Sequence, residues 1–323
     1  MEASTRHLEE PVPLPDPRLP IRPVPVPSVR PWAGTRLGPA DAHVGEVWLA
    51  GPDAVVATDA GVRSLDELAA ALGEALVGSR GMALLGPRFP LIAKLIDAAD
   101  WLSLQVHPDD TLARTLYGPD AVGKTEAWLV LDAVPGAELV TGPADGLDEA
   151  ALRAAIAAGT TSQQHCRRQP AVPGDALLLR AGTLHAIGAG TFVYELEQPS
   201  DLTFRISDWG RQTGRTLHVD EALLALRPAE HAVPCGTSFR LAPGALEVPA
   251  FRLEIPDLAA PARRTPGGRS LEVVTAIRGT LHLAGEGWTE RLAPYETLVV
   301  PASVAAYSIS GPADAVACVG SLP

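Results

Sequence analysis

Glycine and proline interrupt this 323-residue chain so often that few stretches are long enough for anything but short strands and short helices. The sequence contains 30 glycines and 31 prolines, and apolar residues alternate with polar ones between them, as in EVVTAIRGTLHL at 272–283 and AYSIS at 306–310. Short alternating runs that end at turn residues are typical of β-sandwiches and β-barrels. The sequence therefore predicts a mainly β protein with many short strands.

Three short helices are expected among these strands, all in the N-terminal half or at its end. The segment SLDE at 64–67 is a capping box, and apolar residues follow it with helical spacing at Leu68, Leu72 and Leu76. A second helix is predicted over about 148–158, because Gly159 follows it as a stop signal. A third helix is predicted near 220–226 and closes this half of the chain.

The pattern divides the chain into an arm and two domains. Nine prolines fall in the 21 positions 11–31, which predicts an extended N-terminal arm over 1–22, either free or laid along the body. The segments 173–187 and 293–309 share a layout of turn, strand, turn and strand, but only the first contains a histidine. We therefore expect an active β domain with helical insertions over 23–235, and a smaller β domain without metal ligands over 236–323.

Charge and cysteine content exclude several classes of protein. Lys and Arg together number 26 and Asp and Glu 38, and the resulting net charge of −12 argues against a nucleic-acid partner. The three cysteines are widely spaced without a CxxC pair, so neither a disulfide framework nor a thiolate zinc site is expected. No run approaches 18 apolar residues, and the acidic, proline-rich start is unlike a secretory signal. We expect a cytoplasmic monomer with no membrane partner.

Only two of the 26 basic residues are lysines, Lys94 and Lys124, and the other 24 are arginines. A genome-wide preference for arginine explains the 24, but it does not explain the two exceptions. Because a planar guanidinium cannot replace a compact ammonium where a site needs one, both lysines are candidate functional residues.

Polar side chains alternate with apolar ones in the segment WLSLQVHPDD at 101–110. Strand periodicity places Ser103, Gln105 and His107 on one face. The preceding segment, PLIAKLIDA at 90–98, is mainly apolar on both faces, as in a buried sheet. A half-exposed edge strand would give the same alternation, but a Gln and a His two residues apart inside a barrel are plausible metal ligands.

Two further segments add a carboxylate and a second histidine. Glu126 lies at the start of an apolar strand, two residues after Lys124. The pattern PG…GxxH at 173–185 ends in His185 and is the second half of the metal-binding pattern of cupins, which are small double-sheet jelly rolls. One carboxylate and three neutral ligands suit a divalent cation such as zinc, with an open position for substrate or water.

More charged residues follow in the segment 194–209. Alternation places Glu195 and Glu197 on one face of a strand, and Arg205 lies further along the same segment. Carboxylate pairs of this kind are usually solvated at a surface, and Arg205 would then form a salt bridge at the rim.

Taken together, four blocks resemble the signature blocks of type I phosphomannose isomerases in order and spacing: LSLQVHPDD, GKTEAW, GTLHAIGAG and SDLTFRISDW. RFPLIAKLIDA at 88–98 and PWAG…GEVW at 31–48 extend the resemblance, which covers about residues 23–320. It is closest to the short bacterial form with two cupin domains. Ala33, Ala127 and Gly123 depart from the family pattern, and the longer enterobacterial form has a histidine at the position of Gly123.

The resemblance implies two cupin jelly-roll domains and one zinc ion per chain. The family's zinc ligands fall on Gln105, His107, Glu126 and His185. Its essential arginine falls on Arg205, and we assign catalysis to Arg205 and Lys124. Its other active-site positions, which we assign to substrate binding, fall on Lys94, Ser103, Glu195 and Asp201, with Glu46 as a less closely matched position.

The implied activity is that of a mannose-6-phosphate isomerase, a zinc-dependent aldose–ketose isomerase that interconverts mannose 6-phosphate and fructose 6-phosphate through a cis-enediolate. Arg205 would hold the oxyanion or the phosphate, Lys94 and Ser103 would hold the phosphate, and Lys124, Glu195 or Asp201 would carry the proton. One alternative is a non-catalytic cupin that binds a sugar phosphate or a metal as a sensor or storage module. A ferrous cupin dioxygenase is a second alternative, and glucose 6-phosphate stays open as a substrate.

Overall fold

Sheets from the two halves of the chain form two β-sandwiches that pack back to back. The computed structural model describes residues 14–58, 61–227, 229, 233–234 and 243–323. The strands of the N-terminal half are β1 (Val26–Val29), β2 (Val44–Ala50), β3 (Val55–Thr58), β4 (Gly61–Ser64), β5 (Ile92–Ala98), β6 (Leu104–Val106), β7 (Glu126–Ala133), β8 (Glu138–Pro143), β9 (Cys166–Pro170), β10 (Ala176–Leu179), β11 (Ala186–Ile187), β12 (Thr191–Glu197), β13 (Phe204–Ser207) and β14 (Val233–Pro234). Those of the C-terminal half are β15 (Gly244–Val248), β16 (Phe251–Ile255), β17 (Ala262–Arg264), β18 (Glu272–Arg278), β19 (Leu281–Gly285), β20 (Trp288–Leu292), β21 (Thr297–Val300), β22 (Tyr307–Ser310) and β23 (Val316–Ser321).

The described helices all lie in the N-terminal half. They are α1 (Leu65–Leu72), α2 (Glu74–Leu85), α3 (Asp110–Tyr117), α4 (Glu149–Ala157) and α5 (Val219–Ala225), with short 3-10 helices at Ala40–Ala42 and Gln163–His165. The prediction of a mainly β fold with a few helices in this half is therefore confirmed. Within the described residues no single helix is long and apolar enough to cross a membrane, and only the pair α1 and α2, bent by 91°, passes by length and composition together.

Each sandwich combines one large sheet with smaller ones. In the N-terminal half, a seven-stranded sheet has the order β1-β2-β5-β12-β7-β10-β14, beside a three-stranded sheet β11-β8-β9 and the pair β13-β6. In the C-terminal half, a five-stranded sheet β15-β16-β23-β18-β21 is joined by a four-stranded sheet β17-β22-β19-β20. All strand pairings between these elements are antiparallel, so each sheet can have a different environment on its two faces.

The central strand β12 is buried on both faces, because the C-terminal sandwich covers the outer one. Tyr194 and Leu196 point into a core shared with β16, β18 and β23. Val193 points the other way, into the core between the seven-stranded and three-stranded sheets. Period-two alternation puts Glu195 and Glu197 on that inner face as well. They are 3% and 0% exposed, so this pair is not solvated at a surface, unlike most pairs of this kind.

The helices agree in part with the sequence predictions. The capping box at Ser64 and Glu67 is present and starts α1, and α4 and α5 lie where helices were expected. Helices α2 and α3 were not predicted. Gly78 breaks the helical pattern inside α2 with a φ of 79°, and a Cβ there would lie 2.3 Å from the carbonyl oxygen of Arg269. A contact with a distant segment therefore determines this region, which no local pattern reveals.

The predicted repeat corresponds to the same crossing between sheets in both sandwiches. After β10 in the seven-stranded sheet, the chain crosses to β11 in the three-stranded sheet and returns as β12. After β21 in the five-stranded sheet, it crosses to β22 in the four-stranded sheet and returns as β23. The shared layout of 173–187 and 293–309 thus reflects one topology used twice.

The described part of the proline-rich arm lies along the C-terminal sandwich. Ile21 is 3% exposed and exchanges two backbone hydrogen bonds of 2.8 Å with Val299. Arg22 adds an ion pair of 2.7 Å to Glu290. The first thirteen residues and the predicted domain boundary between 235 and 236 lie outside the described residues, so the division into domains stays a prediction.

Candidate metal centre and active site

Two buried histidines face one carboxylate inside the N-terminal sandwich. His107 follows β6 and His185 precedes β11, and they are 2% and 1% exposed. Each ring donates its Nδ1 hydrogen to a backbone carbonyl at 2.8 Å, His107 to Leu202 and His185 to Thr183. Each Nε2 lies 3.3 Å from a different oxygen of Glu126. Because Nδ1 carries the hydrogen, both Nε2 lone pairs point toward the same place as the carboxylate.

Burial and neighbouring charge keep this cluster in a ligand-competent state. Burial, followed by the positive charge of Lys124, lowers the pKa of His107 to about 4, and burial also lowers the pKa of His185. Burial alone would raise the pKa of the Glu126 carboxyl, but Lys124 and the two histidines hold it well below its usual range. At neutral pH the cluster therefore offers two neutral imidazoles and one carboxylate, the forms that bind a divalent cation.

The donor atoms of the cluster fit a metal ion. Within the described residues, His107 Nε2 and both oxygens of Glu126 are buried without a hydrogen-bond partner. The facing atoms of His107, Glu126 and His185 all lie within 4.8 Å of one another. Gln105 on β6 joins His185 through two backbone hydrogen bonds of 3.1 and 3.0 Å, and its side-chain Nε2 lies 3.2 Å from His185 Nε2. A half-turn of that amide would present its oxygen instead, and this set of N and O donors suits zinc.

Both lysines of the chain lie beside this cluster, enclosed by carboxylates. Lys124 Nζ is 3.2 Å from Glu126 Oε2 and 2.9 Å from Glu197 Oε2. Lys94 Nζ is 2.8 Å from Glu197 Oε1 and 2.9 Å from Glu195 Oε1. Burial would lower the pKa of both ammonium groups, but the facing carboxylates raise both pKa values instead. The two lysines are therefore held as ammonium groups in one buried network.

A cavity of about 460 Å³ opens above this network. The sequence-predicted residues in its wall are Lys94, Ser103, Gln105, Lys124, Glu195, Asp201 and Arg205, together with the less closely matched Glu46. Asp201 is exposed, whereas Glu195 is buried and accepts a hydrogen bond of 2.7 Å from Trp128 Nε1. The structure thus brings residues from separate sequence segments to one cavity, whereas the predicted ligands His107, Glu126 and His185 do not line it.

The cavity wall also contains a cluster of guanidinium groups. Ser103 Oγ accepts hydrogen bonds from Arg205 Nε at 3.1 Å and from Arg215 Nη2 at 2.6 Å, and donates one to Asp208 at 2.9 Å. Partial burial, and then repulsion by Arg215, lowers the pKa of Arg205. Arg30 lies in the same wall, where Glu46 binds it with two hydrogen bonds of 3.0 and 2.9 Å. Guanidinium groups that repel one another are better accommodated when an anion lies between them.

Gly123 has no room for a side chain. A Cβ at this position would lie 2.5 Å from the carbonyl carbon of Asp109 and 2.5 Å from the nitrogen of Asp110. Both are backbone atoms at the start of α3, which cannot rotate away. The histidine of the longer enterobacterial form thus has no counterpart at this position, and any proton carrier must come from another part of the cavity.

Sequence reasoning missed three residues of this region: Glu197 as a site residue, Arg30 and Arg215. The sequence showed only that Glu197 shares a strand face with Glu195. It did not show that Glu197 is completely buried. Arg30 lies at the end of the proline-rich stretch, outside the segments that carry ligand types. Arg215 lies in an irregular segment after β13, where no periodicity shows which side chains point inward.

The C-terminal sandwich has a corresponding position with a different content. Glu272 is the first residue of β18, as Glu126 is the first residue of β7. Arg264 and Tyr307 face one another across β17 and β22, and both bind Glu272 at 2.6 Å, through Nη2 and through the hydroxyl. In this sandwich a guanidinium and a phenol thus surround the carboxylate.

A jelly-roll sandwich with a buried His–Glu–His cluster below a polar cavity is the architecture of a metal-binding cupin. Residues 34–123 match the family described as phosphomannose isomerase type I, catalytic domain. The chain is 34% identical over 226 residues to the mannose-6-phosphate isomerase of Streptococcus mutans. The aligned region covers 65% of this chain and 69% of that protein. The chain therefore belongs to the type I phosphomannose isomerase family, as the sequence blocks predicted.

Solved structures agree with this assignment over nearly the whole chain. The mannose 6-phosphate isomerase from Bacillus subtilis superposes with a TM-score of 0.77 at 25% identity, over 94% of this chain and 99% of that one. A zinc-bound mannose 6-phosphate isomerase shares the fold with a TM-score of 0.71 at 16% identity, over 94% of this chain and 100% of that one. The predicted fold of cupin-like sandwiches is confirmed by these neighbours.

Proposed function

We propose that this protein interconverts mannose 6-phosphate and fructose 6-phosphate in the cavity described above, with one zinc ion per chain. The observation that carries the proposal is the cluster of His107, Glu126 and His185, whose facing donor atoms are buried below a cavity that also contains both lysines. Family membership supplies the substrate class, because the matched relatives bear the name mannose-6-phosphate isomerase.

Four side chains would hold the zinc ion: Gln105, His107, Glu126 and His185. The two histidines are oriented by their carbonyl partners, and Glu126 supplies the one negative charge. When bound, zinc supplies Lewis acidity that stabilises negative charge developing on the C1 and C2 oxygens of the open sugar. Gln105 also lines the cavity, so it would connect the metal centre with the space where the sugar would bind.

Lys124 is the best placed of the three candidate proton carriers. Its Nζ lies in the cavity wall and next to the Glu126 carboxylate. Glu195 is already bound on both oxygens, to Trp128 at 2.7 Å and to Lys94 at 2.9 Å. Asp201 is exposed, so bulk water can exchange a proton with its carboxylate in competition with the sugar. Because Lys124 is held as an ammonium, it can give a proton to a sugar oxygen but cannot take one from carbon, so we assign it the acid step and leave the base to Glu195 or Asp201.

The guanidinium cluster is the best position for the phosphate. Sequence reasoning assigned the phosphate to Lys94 and Ser103, but Lys94 lies between two carboxylates that would repel a dianion. Among the described residues, Arg215 is hydrogen-bonded to one carboxylate, Asp208, and Arg205 is hydrogen-bonded to none. Ser103 accepts a hydrogen bond from each guanidinium group. We therefore propose that Ser103 acts on the phosphate indirectly, by positioning Arg205 and Arg215.

A coupled assay tests the proposed function directly. The purified protein is offered mannose 6-phosphate, glucose 6-phosphate and other sugar phosphates, before and after treatment with a chelator, and zinc is then restored. We expect turnover of mannose 6-phosphate that the chelator abolishes and zinc restores. Binding of a sugar phosphate without turnover would contradict the proposal and favour the sensor or storage role.

A further inference from the structure

Glu197 is the last residue of the central strand β12 and is completely buried. In the sheet it lies opposite Glu126 on β7 and Ile92 on β5. Its two oxygens bind different lysines, Oε1 at 2.8 Å from Lys94 Nζ and Oε2 at 2.9 Å from Lys124 Nζ. No other described carboxylate forms an ion pair with both lysines.

Glu197 does not belong to the cavity wall, whereas Glu195, Lys94 and Lys124 do. It is also completely buried, so we expect its effect on chemistry to pass through the two lysines that it contacts. Burying a carboxylate costs several kcal/mol unless it is paired, so a polar side chain in this interior position needs a specific compensating role.

The contacts of Lys124 show what that role is. Its ammonium group has two carboxylate partners, Glu197 at 2.9 Å and Glu126 at 3.2 Å. Glu126 is also the carboxylate that faces both histidines at 3.3 Å. A lysine that lost Glu197 would have Glu126 as its remaining partner, and a lysine bound more closely to a ligand carboxylate competes with a metal for it.

We propose that Glu197 is a positioning residue that draws Lys124 away from Glu126 and fixes it relative to Lys94, so that Glu126 stays available to the metal. This inference rests on the proposed function, since it names Glu126 as a metal ligand. The stretch of β12 that carries Glu197 is paired with β5 on one side and β7 on the other. One side chain on this strand thus sets the spacing of both ammonium groups.

The test compares Glu197→Gln with the wild type in two measurements. The first is the dissociation constant for zinc, by competition with a chromophoric chelator, which does not depend on activity. The second is steady-state kinetics with mannose 6-phosphate at saturating zinc. Loss of a partner that supports a ligand costs roughly 10–100-fold in metal affinity or activity. We expect zinc affinity and kcat to fall by that order, with KM changed less, because Glu197 does not line the cavity.

Two further variants separate positioning from a structural role. Glu272→Gln removes a buried carboxylate charge that is likewise paired with a cation, Arg264, in the other sandwich. It should lower the melting temperature without changing zinc affinity or kcat. In a Lys124→Gln background the competing ammonium is gone, so adding Glu197→Gln should no longer weaken zinc binding.

The outcomes are distinguishable. If Glu197→Gln has the zinc affinity and kcat of the wild type, or weakens zinc equally with and without Lys124, the inference is wrong. If Glu197→Gln does not fold, the same two measurements are made on Glu197→Asp. Unchanged zinc affinity in Glu197→Asp would then overturn the inference. A wild-type protein that binds no zinc would overturn the proposed function itself, whatever the variants do.

Discussion

Replacing Gly123 with alanine tests how closely the loop before β7 must pack against the start of α3. The added Cβ would lie 2.5 Å from backbone atoms of Asp109 and Asp110, and ordinary contact begins at 3.4 Å. One of the two segments must therefore move by about 0.9 Å. The segments are also tied by a hydrogen bond of 2.9 Å from Lys124 N to the carbonyl of Pro108, so the movement reaches the active site.

The size of the effect follows from that displacement. Moving a catalytic group by about 1 Å costs on the order of 10²-fold in rate, and overpacking a rigid contact costs roughly 1–3 kcal/mol of stability. For Gly123→Ala we expect kcat/KM to fall by about 10²-fold and the free energy of unfolding to fall by about 1–3 kcal/mol. The coupled isomerase assay and urea denaturation measure the two quantities.

Gly38→Ala is the matched control for this prediction. The nearest atom to its added Cβ is a methyl carbon of Val44 at 3.3 Å, which can adjust by rotation or a small shift. Neither glycine has a positive φ, so alanine is compatible with both backbones. Gly38→Ala should therefore keep wild-type kinetics. Wild-type kcat/KM and stability in Gly123→Ala would refute the idea that the two segments are rigidly packed.

The remaining predictions concern the metal, the lysines and the C-terminal sandwich. His107→Ala should lose most of the bound metal seen by elemental analysis, because it removes a ligand, and full activity without metal would contradict the site. Lys124→Arg should lower kcat by ~10²-fold, because a guanidinium does not replace the ammonium that donates the proton. Lys94→Arg should mainly raise KM, because Lys94 lines the cavity and a guanidinium is larger and planar. If both variants match the wild type in steady-state kinetics, the argument from lysine scarcity fails. Tyr307→Phe should leave kcat unchanged but lower stability by about 1–3 kcal/mol in thermal unfolding, since it removes the hydrogen bond of 2.6 Å to Glu272, and a loss of turnover would show that the second sandwich acts in catalysis.

The chain's local patterns were sufficient for much of the fold, whereas the candidate ligand set also needed the resemblance to a family. The alternating runs at 272–283 and 306–310 became strands, and the capping box at Ser64 became the start of a helix. Gln105, His107, Glu126 and His185 were selected from their residue types and spacing together with a family resemblance, and the structure places them together. The strands and the helix start are readable because they depend on residues within one or two turns of structure.

Only the tertiary structure decided which polar residues are buried. Strand alternation showed that Glu195 and Glu197 share a face, but the same alternation describes a solvated edge and a covered centre equally well. The three-stranded sheet covers one face of β12, and the C-terminal sandwich covers the other. Burial is a property of what packs against a strand, and the packing partners lie far away in the sequence. For the same reason, the pairing of Glu197 with two lysines was invisible until the strands were assembled.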